Sequence, residues 1–316
     1  MKVAVLKGGR SLERQVSLRS GARVEDALHR LGHEVVPIDV GADLVDRLTA
    51  VQPDVAFVAL HGRGGEDGTV QELLELVGVP YTASGPAACA RCMDKVVAKD
   101  AFRDADLPTP EFYAFSQAAF EELGAARSLP AIEERLEFPI VVKPAGQGSA
   151  LGVKFARSAA DVPGAIVAAF SYDTKVVLER FIAGRDLAVS VIDGVDGPEA
   201  LPVVEAIPQE EDFYDFESRY EIGRTQFVCP ADVSDAVTAR AQELALAAYA
   251  TLRCSGFARV DLMLDDETGE LSVLEVNAIP GLTDTSLLPL AAEAAGISFD
   301  ALIARIVELA VTRAPA

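Results

Sequence analysis

Short apolar runs alternate with amphipathic stretches along the first eighty or so residues. Lys2 to Leu6 is an apolar run of strand length, and Val16 to Leu31 repeats its apolar positions at helical spacing until Gly32 closes it. Glu34 to Val40 and Val55 to Leu60 read as two further strands. Strands separated by helical segments predict a parallel βαβ arrangement, a Rossmann-like half unit ending near Tyr81.

A helix is predicted over Ala87 to Ala105, and the two prolines of Leu107-Pro-Thr-Pro110 mark a linker. Beyond it a smaller α+β unit carries strands at Phe138 to Lys143 and Lys175 to Leu178 with a glycine-rich turn between them. The last third holds a strand at Leu187 to Ile192, a polar and aromatic loop from Pro208 to Phe227, and an alanine-rich helix from Ser234, its N-cap, to Leu252. A hairpin turning at Asp265 to Glu270 and closing helices from Leu287 complete the pattern, with no internal repeat. The expected class is α/β with α+β, in three units: 1–85, 86–182 and 183–316.

A length of 316 residues suits two or three packed units, and a chain that is 50% hydrophobic suits a buried sheet covered by helices. No apolar run reaches transmembrane length, and the N-terminus meets a glycine turn before a signal peptide could form; a soluble, cytoplasmic protein with no membrane partner is expected. Cys89, Cys92, Cys229 and Cys254 make no disulfide framework, and the Cys89/Cys92 pair lacks the further ligands of a metal set. A net charge of −21 argues against a nucleic-acid partner. It also draws attention to the lysines: there are only seven, and a polyphosphate site must concentrate some of them.

Neither a P-loop nor a GxGxxG fingerprint is present. Phe138-Pro-Ile-Val-Val-Lys143 instead delivers a lysine to a strand end, and Gly146-Gln-Gly-Ser-Ala-Leu-Gly152 follows as a turn able to fold backbone N–H groups over phosphate oxygens. Alone, this fits an ordinary glycine-rich hairpin equally well. Gly256-Phe-Ala-Arg-Val-Asp261 and Leu274-Glu-Val-Asn277 say more, because alternate residues of a strand share a face. If the hairpin pairs these strands, Asp261, Glu275 and Asn277 form an all-oxygen set suited to Mg²⁺ with Arg259 beside it. Asn277-Ala-Ile-Pro-Gly-Leu-Thr283 then makes a turn whose Gly281 can present a backbone N–H, and His61 to Gly68 follows the third strand, where open α/β sheets bind ligands.

These segments in this order resemble the D-alanine–D-alanine ligase family of ATP-grasp enzymes over almost the whole chain. The resemblance runs through Gly8 to Ser17, His61 to Gly68, Met93-Asp-Lys95, Val142-Lys-Pro144, Gly148-Ser149, Glu179 and Gly184-Arg-Asp186. It continues through Phe213 to Tyr220, Arg259-Val-Asp261, Glu275-Val-Asn277, and Pro280 to Thr283 with Ser286-Leu287. It implies an ATP-grasp fold and ATP-dependent ligation of two D-alanines through an acyl phosphate, for peptidoglycan precursors. Lys95 and Lys143 would meet the ATP phosphates, Glu179 the adenine amino group, Ile182 the adenine edge through its backbone, and Asp186 the ribose. Asp261, Glu275 and Asn277 would hold two Mg²⁺ ions, with Mn²⁺ able to substitute.

The resemblance further places Glu13 at the first D-alanine's ammonium near Ser149 and Tyr220, and His61 near its carboxylate. Arg259 and the Gly281 N–H would face the oxyanion, the Ser286 and Leu287 N–H groups and Arg219 would take the second D-alanine's carboxylate, and the chain would form a homodimer. Ala150, Asp186, Arg219 and Ala278 stand where serine, glutamate, lysine and threonine are commoner. The loop Pro208 to Phe227 is long enough to be a lid that keeps water from the acyl phosphate. Two rivals are a ligase of the same fold for other amino or hydroxy acids and an ATP-binding regulatory protein; pure binding would not require Arg259.

Overall fold

The computed structural model describes residues 1–208 and 225–312. Strands β1 (Lys2–Lys7), β2 (Glu34–Asp39) and β3 (Val55–Val58) form a parallel sheet in the order β2-β1-β3. Val3 to Leu6 are fully buried, so the central strand has no solvated face, which is why its sequence is an unbroken apolar run. Tyr81 adds a parallel bridge to Ala56, close to the expected end of this unit. The helix Arg14–Arg30 lies along the sheet and buries Val16, Val24, Ala27 and Leu28.

The helix expected over Ala87 to Ala105 is two helices, Pro86–Met93 and Lys95–Asp104. Asp94 leaves helical geometry (φ −84°, ψ 103°), and its carboxylate accepts from the Val96 and Val97 N–H groups as an N-cap. The break exposes the Lys95 N–H, which donates to Ala145 O at 3.0 Å. Helical periodicity spans the join unchanged, so only the capping aspartate marked it.

Strands β4 (Phe112–Ser116), β5 (Ile140–Pro144), β6 (Lys154–Ala156) and β7 (Lys175–Arg180) make an antiparallel sheet in the order β4-β7-β5-β6. It has its own core, including Leu136, Ile140, Ile166 and Leu178. A larger sheet is built from β8 (Gly184–Gly194), β9 (Gly197–Ala200), β10 (Val204–Pro208), β11 (Thr225–Val228), β12 (Phe257–Asp265) and β13 (Leu271–Asn277). Its order is β11-β10-β8-β12-β13, with β9 on β8. The helix Asp235–Thr251, capped by Ser234 through the Val237 N–H, buries Leu244, Ala245 and Ala248. Helices Leu287–Ala294 and Phe299–Thr312 follow. The parallel sheet and the larger sheet share one core, in which Cys89, Ala98 and Phe102 also sit.

Candidate active site

The small antiparallel sheet faces the larger one across a cleft. Lys95, Lys143, Glu179, Ile182, Asp186 and Glu275 all line it, and Val141, Phe155, Met263 and Leu274 give it apolar walls. The register explains the first group. Val141 lies opposite Glu179, so Lys143, two residues on, falls on the same face of the sheet as that carboxylate. Lys143 Nζ meets Glu179 Oε1 at 2.6 Å, and Lys99 Nζ meets Glu179 Oε2 at 2.5 Å.

Glu179 is buried, and burial pushes its carboxyl up while the Lys143 and Lys99 ammonium groups more than reverse this, leaving it below the usual carboxylate range. Burial lowers Lys99 to about 8, helped by the neighbouring Lys143 and Arg103 charges and opposed by Glu179. Lys95 opens its helix at the same cleft, where Nζ donates to Gln147 O at 2.7 Å and pairs with Glu275 Oε2 at 3.1 Å. The N–H groups of this helix's first turn are taken by Ala145 O and Asp94, so the lysine side chains are what the helix and β5 offer an anion in the cleft.

Strands β12 and β13 pair with Arg259 opposite Asn277 and Asp261 opposite Glu275. Arg259 holds Asp261 through two bonds of 2.6 and 2.8 Å, and Asn277 Nδ2 donates to Asp261 Oδ2 at 3.1 Å. The ladder then slips, because Leu262 pairs with Val273. This bulge leaves Leu274 as an extra residue, so Leu274 and Glu275 both reach the cleft although they are consecutive. Among the described residues no three His, Cys, Asp or Glu side chains gather as a metal cluster. Two carboxylates and an amide oxygen on adjacent strands nevertheless fit Mg²⁺, which takes one or two carboxylates and completes its shell with phosphate oxygens and water. The cations now on those carboxylates, Arg259 and Lys95, show that the pair attracts positive charge.

A buried polar cluster lies behind the turn that follows β5. Ser149 Oγ donates to Glu13 Oε1, with Ser149 at φ +52° and Ala150 at +55°, left-handed values uncommon outside glycine. Burial, and then the Glu66 charge, push the Glu13 carboxyl up to about 7 against the opposing influence of Ser149, His61 and Lys95. His61 Nδ1 lies 2.9 Å from Glu66 Oε1, and its Nε2 lies 3.1 Å from Ser20 Oγ. Both ring nitrogens are therefore engaged within the protein. Ser20 Oγ also accepts from the Leu282 N–H at 3.2 Å, tying this cluster to the turn that carries Gly281.

That turn needs its glycine, since a Cβ on Gly281 would stand 2.7 Å from Ser286 Oγ. The Ser286 N–H donates to Thr283 O at 3.1 Å, and Ser286 Oγ accepts from the Thr283 N–H at 3.0 Å. Leu287 begins the following helix, so its N–H has no acceptor within that helix. Tyr220, Arg219 and most of the expected lid lie outside the described residues. The sequence reading gave no role to Lys99, Glu66 or Ser20. Lys99 had a signal, since its spacing from Lys95 puts both on one helical face; Ser20 had none.

A small antiparallel sheet closing over a larger one on a lysine-lined cleft defines an ATP-grasp fold. Family models described as the D-ala D-ala ligase N-terminus and C-terminus match residues 44–84 and 101–308. The D-alanine–D-alanine ligase of Moorella thermoacetica is 43% identical over 310 residues, 98% of this chain and 99% of that protein. The crystal structure of the Bacillus anthracis D-alanine–D-alanine ligase superposes with a TM-score of 0.85 at 34% identity, covering 98% of this chain and 97% of that one. Its complex with ATP gives 0.82 at 33% identity and the same coverage. The chain belongs to the D-alanine–D-alanine ligase family.

Proposed function

We propose that this protein joins two D-alanine molecules into D-alanyl-D-alanine, converting ATP to ADP and phosphate, and that the dipeptide serves peptidoglycan synthesis. One turn carries the reading. Gln147 O accepts from Lys95 in the cleft, and Ser149, two residues on, donates to Glu13 in the buried acidic cluster. The two sites share that wall, so a phosphoryl group held by the lysines meets a carboxylate whose ammonium is held by Glu13.

A carboxylate is a poor electrophile, and hydroxide is a poor leaving group. Transfer of the γ-phosphoryl to the first D-alanine's carboxylate oxygen breaks the bond to ADP and gives an acyl phosphate. Lys95 and Lys143 neutralise charge on the transferring group, while Glu179, Ile182 and Asp186 hold adenine and ribose between the apolar walls. Asp261, Glu275 and Asn277 would hold two Mg²⁺ ions, or Mn²⁺, which when bound supply further charge neutralisation at the phosphates. Glu13, steadied by Ser149, takes the first ammonium, with His61 beside its carboxylate.

The second D-alanine's free amine attacks the acyl carbon and phosphate leaves. Arg259 and the Gly281 N–H stabilise the oxyanion, a contribution of about 3 kcal/mol per donor. The Leu287 N–H, with Ser286, receives the second carboxylate at a helix N-terminus. Tyr220 and Arg219 are assigned to the first and second substrates on family resemblance. The same reading takes 1–85, 86–182 and 183–316 as units that close on ATP, and expects a cytoplasmic homodimer.

The test is ADP release with and without D-alanine in Mg²⁺. ADP that appears with D-alanine, alongside an equal amount of dipeptide, supports the reading. ADP release indifferent to D-alanine contradicts it.

A further inference from the structure

Lys99 is fully buried, yet the mechanism above gives it nothing to do. Its Nζ is fixed by Thr109 Oγ1 at 2.6 Å and by Glu179 Oε2 at 2.5 Å, and Arg103 stands near enough to help depress its ionisation. Glu179 is thus gripped from two sides, by Lys143 on one oxygen and Lys99 on the other. The two lysines differ in what they can do. Lys143 lines the cleft, and on the proposed reading turns to the nucleotide phosphates; Lys99 does not line it and is anchored by Thr109.

We propose that Lys99 is a positioning residue for base selection: it holds Glu179 as a hydrogen-bond acceptor when Lys143 has left, so that the cleft takes a 6-amino purine nucleotide and rejects a 6-oxo one. The inference rests on the reading of this cleft as an ATP site and deepens it. A buried carboxylate with no cation is costly and takes up a proton. Protonated Glu179 would carry an O–H donor, which suits the oxygen of a 6-oxo purine as readily as an amino group. With Lys99 in place both carboxylate oxygens only accept, so an amino group pairs with them and a 6-oxo group meets oxygen against oxygen. The anchor on Thr109 matters for the same reason, because a lysine free to follow the phosphates would leave Glu179 bare.

The experiment measures equilibrium binding of ATP and of inosine triphosphate, which carries oxygen in place of the amino group, to the full-length protein without D-alanine. The native protein is expected to prefer ATP by at least about 100-fold. Lys99→Met should cut that ratio at least about tenfold, chiefly by weakening ATP, while inosine triphosphate changes by less than about threefold. Lys99→Gln loses the charge but keeps a donor for Thr109; it should give the same collapse and serves if Lys99→Met does not fold. Lys99→Arg, if it folds, should keep most of the preference. In a Glu179→Gln background, adding Lys99→Met should leave the ratio where Glu179→Gln alone puts it.

Equal weakening of both nucleotides, an unchanged ratio, or a further fall in the Glu179→Gln background would overturn the inference. ADP release measured on the same native preparation separates the two readings. No D-alanine-dependent release, with the binding ratios as expected, would remove the ligase reading and leave the role of Lys99 standing.

Discussion

The cleft and the buried cluster behind it handle charge differently within one strongly acidic chain. In the cleft and just behind its wall three of the seven lysines converge, and each of the two acids they contact is paired with at least one of them: Glu179 with Lys99 and Lys143, Glu275 with Lys95. In the buried cluster Glu13 and Glu66 crowd together with a serine and a histidine, and Glu13 rises to about 7. The net charge of −21 foretold neither arrangement, because binding follows the local field rather than the total. On the proposed reading the cleft lysines take the phosphates of the nucleotide, and Glu13, an acid raised by burial and by Glu66, takes an ammonium. Each therefore ought to fail in its own currency.

The largest effect is expected from Lys143→Met, which should lower kcat/KM for ATP by about 10³-fold while D-alanine binding, measured with a non-hydrolysable nucleotide, stays within about threefold. Steady-state kinetics and calorimetry check the two halves. A comparable loss in both substrates would mean that the two regions are one site. Glu13→Gln should do the converse, costing about 2–5 kcal/mol at the first D-alanine and leaving ATP affinity unchanged.

A smaller effect comes from pH. The Glu13 carboxyl, raised to about 7, must be ionised to hold an ammonium, so kcat/KM for D-alanine should rise roughly tenfold per unit as pH increases towards 7 and level above it. The KM for ATP should stay flat, and Glu13→Gln should erase the limb. Smallest is Gly62→Ala. Gly62 has φ +70°, and an added Cβ would collide with Glu13 Oε2, so about 1–2 kcal/mol of stability should be lost in thermal melts, with a weaker first D-alanine site.

The sequence made the parts of both regions legible but not their joins. Strand-end residues such as Lys143, and the alternation that pairs Arg259 with Asp261, are local patterns, so periodicity was enough to find them. The bulge at Leu274 was hidden because it depends on the slip between β12 and β13, which no single strand records. Lys99 shares a helical face with Lys95, but its partner Glu179 stands on a strand eighty residues further on, so the helix alone did not show what the lysine meets. Ser20 links His61 to Leu282, and its bond to Leu282 spans 262 residues of chain, a contact that belongs to packing alone.

The central claim is that the wall shared by the two regions is where phosphoryl passes from nucleotide to amino acid. The direct measurement uses D-alanine labelled with ¹⁸O in its carboxylate, turned over with unlabelled ATP, followed by mass analysis of the phosphate released. The account predicts one labelled oxygen in each phosphate, carried over when the acyl phosphate is cleaved by the incoming amine. Unlabelled phosphate, with the oxygen lost from the carboxylate recovered in water, would contradict it.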